Sequence, residues 1–315
     1  MWLVPNRTIN VTQVVSNLPM NDLTGWGATT SYALGARVQR ARRIYQSTIA
    51  ANLGTDPALV DQSVDAPVWL ADGLINAVRC FDGVLANKLT ATRGAAVSAE
   101  HVALGVDATL TACVLDFPMI SGENIVTLFG LDAARVRVIG VSDIGVVVYN
   151  RVVVTAGRWV TSWWDYFTGP LLGWRRIQAF DGLPLTVTRL IIALEGESVT
   201  VGEVTVGRGL YIGHALAEGT GANGRTASYF EINEFGRATY VQRPTRRDVT
   251  YSVDISRLHF EKVEGLISDM TGGLVTGIGN VDRPTSVACG IMGEIEWLED
   301  QVDAYVLKFT IKGIT

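Results

Sequence analysis

Residues 186–206 read TVTRLIIALEGESVTVGEVTV, and this stretch indicates the fold class. Its two outer runs, 186–194 and 199–206, are rich in valine, isoleucine and threonine, which favour extended backbone. The residues between them, 195–198, carry the glycine and polar side chains of a tight turn. Two apolar runs joined by such a turn predict two successive strands.

The same pattern continues outward along the chain. Residues 135–139 alternate polar and apolar side chains, and 146–149 and 152–154 are valine-rich runs that we interpret as buried strands around Asn150 and Arg151. The 33 glycines recur at short intervals and fit many tight turns. The sequence therefore predicts a mainly all-β protein of the sandwich or barrel type.

Helical signals are few. The best candidate is 256–270. Ser256 is expected to cap its N-terminus, and Gly272 and Gly273 are expected to end it. A shorter helix is predicted at 74–79. Changes in composition predict three units: an N-terminal segment with a small aromatic β module (1–90), a central β-sandwich (91–215), and a β-rich assembly domain with one packed helix (216–315).

The composition points to extensive burial. Hydrophobic residues make up 48% of the chain and charged residues 18%, below the usual ~25%. No run of about 18 apolar residues is present, so no membrane span is expected. A large core and a surface covered by other subunits would both contribute. The net charge of -5 argues against a nucleic-acid-binding surface, and the first residues lack the pattern of a secretory signal.

Residues suited to metal or nucleophile chemistry are scattered. Cys80, Cys113 and Cys289 fit neither a disulfide framework nor a zinc site, and we expect them to be small buried residues. The three histidines stand in no ligand spacing and are expected at surface or interface positions; they are His101, His214 and His259. We therefore predict no metal site and no cofactor.

The sequence context of two further motifs argues against a binding or catalytic role. The glycine-rich segment 219–224 precedes a strand-like run, whereas a dinucleotide site needs a helix there, so a loop is expected. Glu294 and Glu296 share one face of a strand, where a solvated edge is a more common role than catalysis. The sequence accordingly predicts that the protein is not an enzyme.

The segment from Trp26 to Trp69 is the most informative part of the chain. It is too short for an ordinary aliphatic core, so aromatic rings and turn glycines are expected to hold it together. Its order of residues resembles the small chitin- and cellulose-binding modules of families five and twelve, at these positions: Trp26, Tyr32, Gly35, Val38, Tyr45, Gly54, Pro57 and Trp69.

The resemblance implies a carbohydrate-binding face on which aromatic rings stack on sugars. The residues that it implies are Trp26, Tyr32, Tyr45 and Trp69, with Arg42 and Arg43 contributing charge. The neighbouring tryptophans that the family usually carries after the second tyrosine are missing, because residues 48–51 hold no aromatic. The rings are therefore either a sugar-binding face or the core of the module, and both alternatives stay open.

A second group of aromatic residues lies within positions 159–174. Its glycines and Pro170 interrupt any long helix, and its alternation is poor for a strand. We interpret it as a partly exposed loop that packs on another chain. The interface residues expected from this are Trp163, Trp164 and Trp174.

The order of motifs along the whole chain resembles a group of phage tail proteins. After the aromatic module come an N-x-x-x-x-F-D segment at 76–82, a V-G-x-G-x-x-x-G hairpin at 206–213 and a C-terminal β unit with a helix. The resemblance implies a non-enzymatic structural component of a tail tip or baseplate, assembled in the host cytoplasm and located in the virion.

Its implied partners are other copies of itself, other tail or baseplate proteins and, through the N-terminal module, a bacterial surface glycan that it contacts weakly. A freestanding carbohydrate-binding lectin is the alternative. A glycan-degrading enzyme would need a facing acid pair, which the sequence does not offer.

Overall fold

The structure is a computed structural model of the chain. It describes residues 1–158, 162–168, 171–173, 176–226, 228–232, 238–241, 245–281, 283–301 and 304–314.

The strands of the described residues, in chain order, are β1 (Trp2–Pro5), β2 (Val15–Ser16), β3 (Arg37–Arg40), β4 (Arg43–Ser47), β5 (Trp69–Leu74), β6 (Leu89–Thr92), β7 (Thr111–Pro118), β8 (Ile125–Phe129), β9 (Arg135–Ser142), β10 (Val147–Val154), β11 (Ala156–Arg158), β12 (Leu171–Gly173), β13 (Ile177–Phe180), β14 (Val187–Glu195), β15 (Ser198–Val201), β16 (Glu203–Gly207), β17 (Leu210–Tyr211), β18 (His214–Ala215), β19 (Gly221–Thr226), β20 (Tyr229–Ile232), β21 (Ala238–Val241), β22 (Thr245–Ser256), β23 (Leu274–Ile278), β24 (Val287–Gln301) and β25 (Ala304–Gly313). The α-helices are α1 (Ala99–Ala103), α2 (Trp163–Thr168) and α3 (Phe260–Met270). Short 3-10 helices span Val11–Gln13, Pro57–Leu59, Asn76–Phe81, Arg257–His259 and Pro284–Ser286.

The central part of the chain is a β-sandwich. A five-stranded antiparallel sheet has the order β10-β9-β14-β7-β2, and a three-stranded sheet has the order β13-β8-β16. The two sheets share one core, since buried side chains from both belong to a single cluster that includes Leu115, Val138 and Ile192 from the first sheet and Leu128 and Phe180 from the second. The alternation and apolar runs seen in the sequence supply these inward-facing side chains.

An eight-stranded sheet, built mainly from C-terminal residues and called here the C-terminal sheet, has the order β17-β1-β23-β24-β25-β22-β18, with β19 added on β22. Helix α3 packs on this sheet through Val263, Ile267 and Met270. Inside the sheet, the rings of Tyr251 and Phe309 stack with centroids 5.3 Å apart. The helix therefore covers the apolar face of the C-terminal sheet, as a packed amphipathic helix should.

A third apolar cluster joins the sandwich to the C-terminal sheet. It contains Ile125 and Phe129 from β8, and Val4, Ile278 and Val287 from the C-terminal sheet. Strand β1 lies inside that sheet between β17 and β23, although it comes from the first residues of the chain. Strand β2 pairs with β7 in the sandwich. The division into three units remains a prediction, at 1–90, 91–215 and 216–315. Strands of the first unit pair with strands of the second and third.

The mainly all-β prediction is confirmed, and so is the helix packed on the C-terminal sheet. The turn predicted at 195–198 lies between β14 and β15. Some local predictions are wrong. Asn150 and Arg151 do not separate two buried strands but lie inside the continuous edge strand β10, whose side chains alternate between half-buried and exposed. The loop expected at 219–224 is largely strand β19, which pairs with β22. Ser256 makes no side-chain capping hydrogen bond, and α3 begins at Phe260. None of the helices among the described residues is long and apolar enough to cross a bilayer.

Candidate functional site

The N-terminal module is a three-stranded sheet, β3-β4-β5, closed over its own aromatic rings. The Trp69 ring is 0% exposed, and its indole N–H donates to the Thr55 carbonyl at 2.9 Å. The Tyr32 ring meets it edge-on, with centroids 5.3 Å apart. Tyr45 is 6% exposed in the same cluster. The prediction that the module folds around its own aromatics is therefore confirmed.

Turn geometry explains why the module needs its glycines. Gly35 and Gly54 both have positive φ, at 80° and 76°, a region that residues with a Cβ rarely adopt. The β3–β4 turn holds two non-glycine residues in the same region, Ala41 and Arg42. Two consecutive positive-φ residues make the tight hairpin turn that matches the twist of the flanking strands.

Burial corrects part of the carbohydrate-binding prediction. Stacking on a sugar needs an exposed ring face, and neither Trp69 nor Tyr45 has one, so both are core residues. Trp26 is half-buried, and the Arg40 guanidinium covers its ring at 5.2 Å. The Tyr32 hydroxyl accepts a hydrogen bond from the Gly27 N–H at 2.7 Å, which ties that half-buried ring to its own loop.

The two arginines have different surroundings. The Arg42 guanidinium donates to the backbone carbonyls of Val11 and Val14 and so anchors the module to the N-terminal segment. Arg43 is exposed at the start of β4. Arg42 is thus a structural residue, and Arg43 is the predicted charged residue that remains accessible.

The second aromatic group forms the aromatic surface, which we define as Trp163, Trp164 and Phe167 of α2. These side chains are 81%, 74% and 65% exposed. The rings of Trp163 and Phe167 stack with centroids 6.4 Å apart. Strands β11 and β12 flank the helix in sequence and pair with each other. Trp174, the third predicted interface residue, lies outside the described residues.

A cleft of about 800 Å³ lies where the sandwich meets the C-terminal sheet. Its walls are largely apolar, and its charged lining residues are Lys88, Asp132, Arg176 and Arg247. Backbone from the start of β24 and the end of β25 completes it. We call this the cationic cleft, because three of its four charged lining residues are basic.

A buried polar network lies on the five-stranded sheet, and the sequence did not reveal it. His101 is 4% exposed; its Nε2 lies 2.9 Å from an Asp116 carboxylate oxygen and its Nδ1 lies 2.8 Å from the Ser98 hydroxyl. The Arg189 Nε donates to Asp116 at 2.9 Å, and Arg189 also pairs with Glu100. The expectation of a surface or interface histidine is thus wrong for His101.

Ser98 is at the same time the N-cap of α1, since its hydroxyl accepts from the His101 backbone N–H at 3.2 Å. Every member of the network therefore has a structural partner. We assign it the role of fastening α1 to the sheet, because buried polar groups are stable only when their hydrogen bonds are made.

The cysteines behave as expected. Cys80, Cys113 and Cys289 are free and buried, and burial raises the pKa of the Cys113 and Cys289 thiols to about 12. Across the part of the chain that the structure describes, no group of three or more His, Cys, Asp or Glu side chains is arranged to hold a metal ion. Comparisons with protein-family models, with curated proteins and with solved structures found no match for this chain.

Proposed function

We propose that this chain is a non-enzymatic structural subunit of a phage tail tip or baseplate, which assembles with copies of itself and with other tail proteins. The aromatic surface is the observation that supports this most. Soluble monomers seldom expose several large rings together, and tryptophan is enriched among the residues that dominate binding at protein interfaces. The phage setting rests on the order of motifs along the sequence.

The edge of the sandwich adds a second apolar surface. Strand β10 ends the five-stranded sheet, and Ile144, Val146 and Val154 in or beside it are 79%, 52% and 62% exposed. An exposed apolar edge strand favours association, and proteins that act alone usually protect such edges with charge or proline. The β10 edge and the aromatic surface together fit a subunit that associates with neighbouring chains.

The test is a comparison of assembly between the wild-type chain and the double variant Trp163→Ser/Trp164→Ser. Light scattering should show the wild-type chain as an oligomer and the variant as smaller species, and variant particles should contain less of the chain. Leu258→Ser is the matched control, because Leu258 is 91% exposed but lies outside the aromatic surface. A wild-type chain that stays monomeric and is absent from assembled particles would refute the proposal.

A weak glycan contact through the module is the secondary part of the proposal. Trp69 and Tyr45 are buried and Arg42 is structural, so the residues left for this contact are Trp26, Tyr32 and Arg43. With so few accessible groups we expect an affinity of roughly millimolar, near -4 kcal/mol, which several linked copies can raise by about 10²–10⁴. A glycan array probed with the oligomer tests this. Tight binding by a monomer would instead favour the freestanding lectin.

A further inference from the structure

Strand β10 leaves one edge of the five-stranded sheet open. It pairs with β9 on one side, and no described strand pairs with its other side. It has eight residues and contains no lysine or proline, which are the residues that commonly protect such an edge. Its one charged residue is Arg151, whose Nη1 lies 3.1 Å from a carboxylate oxygen of Asp181 on the same chain. The open edge is therefore largely uncharged toward a neighbour.

A β-bulge divides the open edge into an irregular and a regular part. The register with β9 shifts between Val147 and Tyr149, where Val148 is the extra residue. From Tyr149 to Val154 the register runs without a shift. A bulge hinders the pairing of a further strand, so the part after the bulge is the part that offers a regular template.

The backbone of the regular part turns every second residue toward the open edge. The Thr155 N–H donates to the Ala134 carbonyl at 3.0 Å, on the β9 side. In an antiparallel pair, alternate residues make such bonds, and the residues between them direct their N–H and C=O groups away from the partner. By this alternation, Asn150, Val152 and Val154 direct their backbone groups to the open edge.

The side chains of the regular part alternate in the same way. Tyr149 and Val153 pack against the core of the sandwich. Asn150 is exposed on the opposite face, where Val152 and Val154 are 39% and 62% exposed. A strand added at the open edge would therefore meet free backbone groups and valine methyl groups, and it would displace no core side chain.

We propose that β10 of one copy pairs antiparallel with β10 of a second copy, about a two-fold axis at Val152. This inference rests on the proposed function, self-assembly, and names the contact and its partner. A second copy fits because a two-fold pair presents the same row of groups on both sides, so that each free N–H faces a free carbonyl. The two five-stranded sheets then form one continuous sheet.

Charge and the bulge select this register. The free groups face each other only when an axis passes through a residue, so that even-numbered positions oppose even-numbered positions. An axis at Arg151 would place two guanidinium groups directly opposite each other, which is destabilising. An axis at Asn150 would draw the bulge of each copy into the pair. An axis at Val152 avoids both, since Arg151 then opposes Val153 of the second copy and Asn150 opposes Val154.

The first experiment places charge on the two-fold axis of the full chain. In Val152→Lys or Val152→Glu alone, the two introduced charges would have the same sign and face each other. Each variant should therefore self-associate at least about tenfold more weakly than the wild-type chain in sedimentation velocity at low ionic strength. An equimolar mixture should recover association, because opposite charges then meet, and recovery also shows that both variants fold.

Val15→Lys is the matched control for this experiment. Val15 is 53% exposed on β2, which is the other edge strand of the same sheet. The control carries the same new charge at a similar edge position that lies outside the proposed pair. It should therefore self-associate as the wild-type chain does.

The second experiment reads the register by cross-linking. Directly opposed residues that bond through their backbones have Cα atoms about 5.5 Å apart, which a disulfide can span. Val152→Cys should therefore give a covalent dimer under mild oxidation, and so should a mixture of Asn150→Cys and Val154→Cys. Asn150→Cys alone should not. The wild-type chain is the control, since its own three cysteines are buried.

Three results would overturn this contact: axis variants that associate as the wild-type chain does, a mixture that fails to recover, or cross-linking by Asn150→Cys alone and not by Val152→Cys. Any of these, together with reduced assembly of Trp163→Ser/Trp164→Ser, would leave the proposed function standing and remove only the β10 pair. A wild-type chain that stays monomeric would remove both.

Discussion

The two aromatic groups of this protein have similar compositions and opposite surroundings. In the N-terminal module, Trp69 and Tyr45 are buried, and Tyr32 packs edge-on against Trp69. In α2, Trp163 and Trp164 stand largely in solvent. A cluster of rings in a sequence therefore does not reveal by itself whether it forms a core or a surface.

The difference follows from what surrounds each group. The module has three paired strands and left-handed turns at Gly35 and Gly54, so the chain returns on itself and encloses Tyr45 and Trp69 in one buried cluster. Helix α2 has six residues, and its flanking strands β11 and β12 pair with each other outside the larger sheets. A helix of only six residues has too little surface to enclose its own rings, and Trp163 and Trp164 remain largely exposed.

The largest expected loss of stability is for a substitution in the buried aromatic group of the N-terminal module. Trp69→Ala should lower the free energy of unfolding of the module by roughly 3–5 kcal/mol, because it leaves a cavity and removes the hydrogen bond to Thr55. Denaturant titration combined with limited proteolysis within residues 26–74 would measure it. An unchanged unfolding midpoint would contradict the burial of this ring.

The stability of the sandwich core should depend on pH because of Glu203. The stability contributed by the two aromatic groups should not. Burial raises the pKa of Glu203 to about 8, and the hydrogen bond from the Gly83 N–H opposes that rise. The folded state keeps the proton up to about pH 8, whereas the unfolded carboxyl releases it near 4.5. Stability should therefore fall as pH rises through this window, on the order of 5 kcal/mol.

Glu203→Gln removes the titrating group and should flatten this pH dependence. Urea titrations near both ends of the window would measure it. Glu197→Gln is the matched control, since the Glu197 side chain is 88% exposed. Equal slopes for Glu203→Gln and the wild-type chain would show that Glu203 is ionised in the folded state.

A smaller effect should separate the two arginines of the module. Arg42→Ala removes the guanidinium that binds the carbonyls of Val11 and Val14 and should cost about 1–2 kcal/mol. Arg43→Ala at the exposed neighbouring position should change stability by under about 0.5 kcal/mol. Thermal unfolding of both variants checks this, and equal losses would remove the anchoring role of Arg42.

The smallest effect on folding is expected at the aromatic surface. Trp164→Ser should change the free energy of unfolding by less than about 0.5 kcal/mol, because the side chain is already 74% exposed. Calorimetry of the variant would measure it. A loss as large as that of Trp69→Ala would mean that the ring has a core partner and would abolish the contrast between the two groups.

The sequence predicts strands and turns well where local chemistry decides them. The turn at 195–198 and the glycines at 35 and 54 follow from side chains that favour or permit particular backbone angles. Strand β10 shows the limit. Its valines suggest a buried strand, but burial depends on whether a further strand pairs beyond it, and no local pattern states that.

The candidate sites were harder to predict than the strands, because they form from residues that are distant along the chain. His101, Asp116 and Arg189 meet because α1 lies over two neighbouring strands, β7 and β14. Lys88, Arg176 and Arg247 line one cleft although they belong to three separate segments. Residue type alone suggested neither grouping.

The place of β1 in the C-terminal sheet has a consequence for how the protein is made. Residues 2–5 pair with 275–278, so strand β1 is synthesised long before its partner and must wait for it before that sheet can close. The cleft also needs Gly313 and Ile314. A product that stops before β25 would therefore lack a finished cleft, so that synthesis through β25 is required before the cleft can bind anything.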